Sequence, residues 1–457
     1  MANSTGSESC PYPFLNQALY SQRAGDTHAT FCGQISPTLS CCLPCPLEQW
    51  IYSDSLHFYV RIAQWFNVPA LCCQVFLLLS FAVLPRERTQ VQGRYLSVGL
   101  CVGLVLLELA FIVPLGTQPD VCYNAITPRD MYTSMSCAWT GALLEMGSMA
   151  GLVWILLRSL YTHLRVCWDI ELTTPRFKWI AHALGWGLPA FFLAISLPIT
   201  KLSYRLTSTC LPNPHESFIT WFGWLIAFAL LGALIQFATT GFCLVVFLRS
   251  YMSASKAPSG PRFGNSTQGT ATSAPPSITS TRRVAWRRVQ QVLALQWRNI
   301  LLSFVVIVDV VYSGIVYVLM TNTEDKDNSS TQTNQINEWS SCLIESGRNK
   351  AECLELAKPL RFGEGQVVAT LFMASLIGIF TFCLMIRWSM IQGWWELIRH
   401  PLRRDSVDFE LVSHSPKHMS LTKPLASEKA ASVTDVRPNE EDDMPNDEEV
   451  KKLFGWK

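Results

Sequence analysis

The stretch from Met131 to Trp168, MYTSMSCAWTGALLEMGSMAGLVWILLRSLYTHLRVCW, narrows the folds open to this chain more than any other. Between Cys137 and Leu157 it carries one charged residue, Glu145. A helix of about 20 such residues crosses a hydrocarbon layer roughly 30 Å thick. Small residues, among them Gly141, Gly147, Ser148 and Gly151, recur along it at spacings that let a neighbouring helix come close. A cysteine opens it, and Arg158, His163 and Arg165 crowd its other end. Such a segment is a packed membrane helix if further spans surround it.

Six others do. Taken with this one at 137–160, apolar runs lie at about 65–84, 95–115, 179–199, 218–247, 300–320 and 367–386. Charged residues make up only 15% of the chain, against about 25% in soluble domains. The predicted fold is an all-α integral membrane protein, a seven-transmembrane helix bundle. Residues 1–56 read as an extracellular, cysteine-containing segment and linker, 57–396 as the transmembrane domain, and 397–457 as a disordered cytoplasmic tail rich in acids (NEEDDMPNDEE). No charged-then-apolar leader precedes the first span, which is expected to serve as the insertion signal. Residues 250–281, rich in Ser, Thr, Pro and Gly, read as a loop. After the seventh span, WSMIQGWWELIRHPLRR has the tryptophans and arginines of a short interfacial helix.

Arginine and lysine placement orients the bundle. One set of loops holds Arg86, Arg88, Arg94, Arg165, Arg176, Lys178, Arg249 and the run from Arg282 to Arg298, with Arg399, Arg403 and Arg404 after the last span. The short loops of the other set hold Arg129, Lys201 and Arg205, and its long loop balances bases with acids such as Glu324, Asp325 and Asp327. The positive-inside rule puts the N-terminus outside and the tail inside, as expected of a multi-pass plasma-membrane protein. Ten of the 16 cysteines fall on the outer side, an even number that points to pairs without fixing connectivity. Cys72, Cys73, Cys101, Cys167, Cys243 and Cys383 read as free apolar fillers. Asn3 and Asn328 open outer-side glycosylation tripeptides, whereas Asn265 lies inside.

Other functional classes lack their residues. The seventh span has no lysine for a retinal Schiff base, and the chain shows no repeated Pro- or Gly-broken halves of the carrier kind. The one close histidine pair, His414 and His418, lies in the tail, so neither a metal site nor an enzyme nor a cofactor is expected. A net charge of +2 gives no reason to expect a nucleic-acid partner.

A series of motifs in fixed order is more informative. CCLPCP precedes the first span, Cys72-Cys73 lies within it, and Cys122 follows in the first outer loop. Ser136-Cys137 opens the third span, with Trp154 further down, and GWGLPAFF forms part of the fourth. Thr209-Cys210, LQWRNILLSFVVIV and IRWSMIQGWW complete the series. Over roughly residues 41–396 the chain resembles the Frizzled/Smoothened class of seven-helix receptors, in the divergent form found in fungi and amoebae.

The resemblance implies a receptor that transmits an extracellular or membrane-borne signal, from a small or lipidic ligand, to a heterotrimeric G protein. It implies a Cys137–Cys210 disulfide and a bond from Cys122 to Cys41, Cys42 or Cys45. A Cys342–Cys353 loop is a further expectation from their proximity in sequence. By the same resemblance, Arg298 at the inner end of the sixth span contacts Trp388 after the seventh and holds the receptor shut. The plainer alternative is that Arg298 snorkels to headgroups while Trp388 joins an interfacial belt. Two departures matter. The 56 residues before the first span are too few for the large cysteine-rich domain, so a Wnt-type ligand is not implied. The Lys-Thr-x-x-x-Trp adaptor element is replaced by Met390–Trp395.

Three carboxyls fall inside spans: Glu108, Glu145 and Asp309. Groups this costly in a membrane either bind a ligand or ion or hydrogen-bond to neighbouring helices, and Glu145 sits at a suitable depth for a ligand. A transporter or channel using these carboxyls is the competing class, and a structural membrane protein acting through its tail is a third.

Overall fold

Backbone N–H and C=O groups cannot go unpaired in hydrocarbon, and a helix pairs its own. The computed structural model describes residues 9–20, 24–25, 30–85, 89, 93–170, 172, 174–205, 208–255, 297–319, 330–346, 349–361 and 363–399. Asn3, Asn265, Asn328 and the expected tail lie outside these, as does the loop beyond residue 255.

Among the described residues, seven helices are long and apolar enough to cross a membrane. They are α1 (Asp54–Val83), α2 (Arg94–Thr117), α3 (Met135–Cys167), α4 (Pro175–Thr200), α5 (Gly223–Ser255, entered through a π-turn at Phe218–Phe222), α6 (Trp297–Leu319) and α7 (Glu364–Met385). Most overrun their apolar runs because helical hydrogen bonding continues into the polar layers. The clearest case is α1, which begins well before Trp65. A short α8 (Trp388–Arg399) follows.

Helix α3 is the hub, as its small residues foretell. Gly147 faces the backbone of Leu107 on α2, and a Cβ at Gly103 would lie 2.9 Å from the Gly151 nitrogen. Side chains there would push the two helices apart. One turn below Gly151, the fully buried Trp154 fills the space between α2, α3 and α4 and meets His182 and Trp186 edge-on at 5.5 and 5.9 Å.

The end that carries the disulfides has its own small architecture. Strands β1 (Leu15–Asn16), β2 (Cys32–Ser36) and β3 (Leu39–Cys42) form a sheet in the order β1-β3-β2. Antiparallel β4 (Leu202–Tyr204) and β5 (Cys210–Pro212) pair with Tyr204 opposite Cys210. The segment read from sequence as a polar loop between the sixth and seventh spans instead contains two helices, Ser330–Glu345 and Lys350–Ala357. Their buried Trp339, Leu343, Cys353 and Ala357 pack with Leu43 and with Phe14 and Phe31 of the N-terminal segment.

Candidate functional site

The helices do not close completely on one another. Between α2, α3, α5, α6 and α7 lies a cavity of about 220 Å³. Its walls are leucines, valines and aromatics such as Leu104, Phe111, Leu152, Leu225 and Val306. Leu211 of β5 reaches it from the disulfide-bearing end, and Ser148, Ser313 and Thr370 supply hydroxyls. Among the described lining residues, Asp309 on α6 is the only one able to carry a charge. Its Oδ1 is buried and accepts no hydrogen bond. A carboxyl oxygen without a donor in apolar surroundings costs free energy, and a ligand that donates to it recovers that cost.

The three membrane carboxyls therefore separate. Glu145, the sequence's first choice for ligand contact, does not reach the cavity: Ser196 on α4 donates to its Oε1 at 2.9 Å, and the residue is 1% exposed. Its neighbours Leu144 and Ser148, one turn apart, line the cavity, and one residue further round the helix Glu145 turns to α4. Glu108 is equally buried and abuts Gly378 on α7, where a Cβ would overlap its carboxylate. The three carboxyls line no common pathway. What sequence reading missed is that Glu108 has polar company. Gln64, Asn67 and Gln74 of α1 are buried, and their spacing of three and seven puts them on one helix face. That spacing was open to view in the sequence.

At the disulfide-bearing end, one covalent bond adjoins Leu211 at the cavity's rim and four more brace the segments around it. Cys137–Cys210 joins α3 to β5, and Cys45–Cys122 ties the linker to the loop after α2. Cys10–Cys41 and Cys32–Cys42 close the N-terminal sheet, and Cys342–Cys353 joins the two short helices. Ionic contacts add to these. Glu364 at the start of α7 accepts from the backbone and hydroxyl of Ser53 at 2.9 and 2.7 Å and pairs with Arg361, which also donates to the Ile51 carbonyl.

The arginine-bearing end is held differently. Arg298 on α6 donates to the carbonyl of Ile386 at 3.1 Å, and its guanidinium lies over Trp297 at 5.7 Å. This corrects the expected Arg298–Trp388 contact. Helix α7 stops at Met385, the chain extends through Ile386, and α8 starts at Trp388 with its indole 71% exposed. The carbonyls of a helix end lack partners and attract cations, so the arginine takes backbone rather than indole. Beside it, burial and the Arg298 charge lower the pKa of Arg387. Arg158 of α3 reaches Ser97 of α2 at 3.4 Å, and His163 of α3 reaches Thr239 of α5 at 2.9 Å. Helix α8 docks on α1 through the buried Met390 and a 2.8 Å bond from the Trp394 indole to Ser80.

Among the described residues no three His, Cys, Asp or Glu side chains gather as a metal site. Comparison with known proteins agrees with the architecture. The family profile of the 7 transmembrane receptor (Secretin family) matches residues 54–258. The G protein-coupled receptor gprM of Aspergillus fumigatus is 34% identical over 414 residues, covering 88% of this chain and 79% of that receptor. Human Frizzled-6 is 25% identical over 171 residues, and mouse Frizzled-6 is 23% identical over the same length. Those matches span 35% of this chain and 24% of each Frizzled.

Proposed function

Because this chain belongs to the family of seven-transmembrane G protein-coupled receptors, we propose that it takes an apolar ligand into the cavity and relays its binding to a heterotrimeric G protein. The observation that carries this reading is the cavity itself, lined mostly by apolar side chains with a few hydroxyls and one carboxyl, whose buried Oδ1 has no donor. A complementary ligand is mostly hydrocarbon and bears one hydrogen-bond donor or cationic group to meet Asp309. The apolar lining favours a molecule that partitions into the membrane over a secreted protein.

The disulfide-bearing end faces outward and the arginine-bearing end inward, at the plasma membrane. Disulfides persist in oxidising compartments, and arginines gather on the cytoplasmic side. The G protein then meets the inner ends of α3, α5 and α6. Closure at that end rests on Arg298 and the Ile386 carbonyl. A contact of this kind biases a two-state equilibrium by the free energy it contributes to the closed state alone.

The test is reconstitution of the purified protein in vesicles with a panel of heterotrimeric G proteins. Nucleotide exchange above that of protein-free vesicles, with at least one Gα, is the expected result. Absence of exchange with every Gα, together with proton or solute flux abolished by Asp309→Asn, would overturn the receptor in favour of a transporter.

A further inference from the structure

Three hydroxyls of the cavity lining have their protons committed elsewhere. Ser148 donates to the carbonyls of Leu144 and Glu145 at 2.7 and 3.2 Å, and Thr370 donates to that of Gln366 at 3.0 Å. Tyr317 donates to the carbonyl of Asn213, next to β5, at 3.3 Å and stacks its ring on Phe222. A hydroxyl has one proton, so the Ser148 and Thr370 oxygens have only lone pairs left to offer. Asp309 adds a carboxyl whose Oδ1 is buried without a donor. No Lys, Arg or His is among the described residues that line the cavity. The lining donor that is buried without an acceptor is the Trp221 indole. Trp221 packs on Phe222 and so lies near Tyr317, which is two turns, about 12 Å, along α6 from Asp309.

We propose that the cavity selects a lipophilic primary amine, with its ammonium on Asp309 and its hydrocarbon body among the leucines and valines. This rests on the receptor reading and names the ligand class for the same site. An ammonium brings three N–H donors and one positive charge to a lining of acceptors and one carboxylate. A charge inside hydrocarbon is tolerated where an opposite charge meets it. An alcohol of the same length supplies one donor and leaves the carboxylate's charge uncompensated. A fatty acid adds a second negative charge to a cavity that offers one indole N–H against it. A quaternary ammonium carries the charge but has no N–H to donate. Size narrows the class further. The cavity, at about 220 Å³, is somewhat larger than the roughly 150 Å³ that takes a benzene ring and smaller than the roughly 300–1,000 Å³ of sites for drug-sized molecules. A body of about eight carbons fits that range, and a two-chain lipid does not.

The test melts the purified full-length protein in phosphatidylcholine nanodiscs with octylamine, 1-octanol, octanoate or octyltrimethylammonium, at one neutral pH. A ligand bound only by the folded state raises melting with the logarithm of its concentration. The expected result is a rise of at least about 2 °C with octylamine, at concentrations about 10-fold or more below those at which octanol or octyltrimethylammonium acts. Octanoate is expected to give no rise. In Asp309→Asn, which keeps the side chain's shape, octylamine is expected to lose its advantage over octanol. Each comparison is made within one protein, so a change in absolute stability does not confound it. Octanol or octanoate acting as strongly as octylamine on the wild type would overturn the amine. So would no rise with octylamine, or an advantage that survives in Asp309→Asn. Nucleotide exchange, measured on the same samples with the Gα panel, reads the receptor separately. An octylamine rise in melting with no exchange on any Gα upholds the amine site and counts against the receptor. Exchange without an octylamine rise does the reverse.

Discussion

At one end of this bundle α3 is bonded covalently to β5 and the linker covalently to the loop after α2, while Glu364 and Arg361 fasten the start of α7 to the chain ahead of α1. At the other end the ties described are single hydrogen bonds: Arg298 to Ile386, His163 to Thr239, Arg158 to Ser97 and Trp394 to Ser80. A disulfide that closes a long loop stabilises by about 4 kcal/mol, whereas one hydrogen bond contributes about 1 kcal/mol, or about 1.5–3 kcal/mol where a charge takes part. A free-energy input of a few kcal/mol, the scale of ligand binding, thus rearranges the second end and leaves the first intact. The cavity lies between them, roofed by the rigid end and walled by α6, whose arginine fastens the looser one.

The largest expected effect comes from cutting the rigid end. Cys210→Ser frees a loop with a sequence separation of 73 residues, and the loss of about 4 kcal/mol leaves little folded protein at the cell surface. Ser80→Ala, which deprives the Trp394 indole of its acceptor at the other end, costs about 1 kcal/mol and leaves surface levels near wild type. Equal losses in the two variants, by surface immunostaining and thermal melting, would erase the contrast.

Next in size is the cavity. Asp309→Ala removes the carboxyl and lowers the potency of a ligand found by screening by about 10- to 100-fold, the effect of losing a charge-assisted bond of about 1.5–3 kcal/mol. Ser148→Leu fills part of the same space and blocks the response. Its cost in stability is about 1 kcal/mol, because the Ser148 hydroxyl bonds only to carbonyls of its own helix. A dose–response series with melting curves checks both. Glu145→Gln keeps the Ser196 contact within reach and leaves ligand potency unchanged.

Arg298→Ala comes third. Losing its bond to Ile386 weakens the closed state by about 1–2 kcal/mol and raises the open-to-closed ratio by a factor of about 5–30. Trp388→Ala has the smallest effect, within about 0.5 kcal/mol in melting, because the indole is largely exposed.

The seven spans were legible because hydropathy over about 20 residues leaves a chain few alternatives in a membrane. The small residues of α3 likewise announced a central helix. What was not legible depended on partners. Helix Ser330–Glu345 reads as polar loop, because its Trp339 and Leu343 mean little until the N-terminal segment covers them. Glu145 looked deep enough for a ligand, yet depth along a helix says nothing of the direction round it, and one residue's rotation turned it from the cavity to Ser196. For Trp388 the physical reason is different. Where α7 ends decides whether a carbonyl or an indole meets Arg298, and a helix end within an apolar-to-aromatic run has no sharp signal. The buried stripe of Gln64, Asn67 and Gln74 is readable from spacing alone, although the apolar run around it masks the signal.

The claim at the centre of this account is that the arginine-bearing end opens and that Arg298, through the Ile386 carbonyl and not through Trp388, holds α6 against the end of α7 in the closed state. The most direct measurement is basal signal from a G-protein dissociation sensor co-expressed with wild type, Arg298→Ala and Trp388→Ala at matched surface levels. The account predicts a raised basal signal for Arg298→Ala and a wild-type signal for Trp388→Ala. A wild-type signal from Arg298→Ala, or an equal rise in both variants, would contradict it.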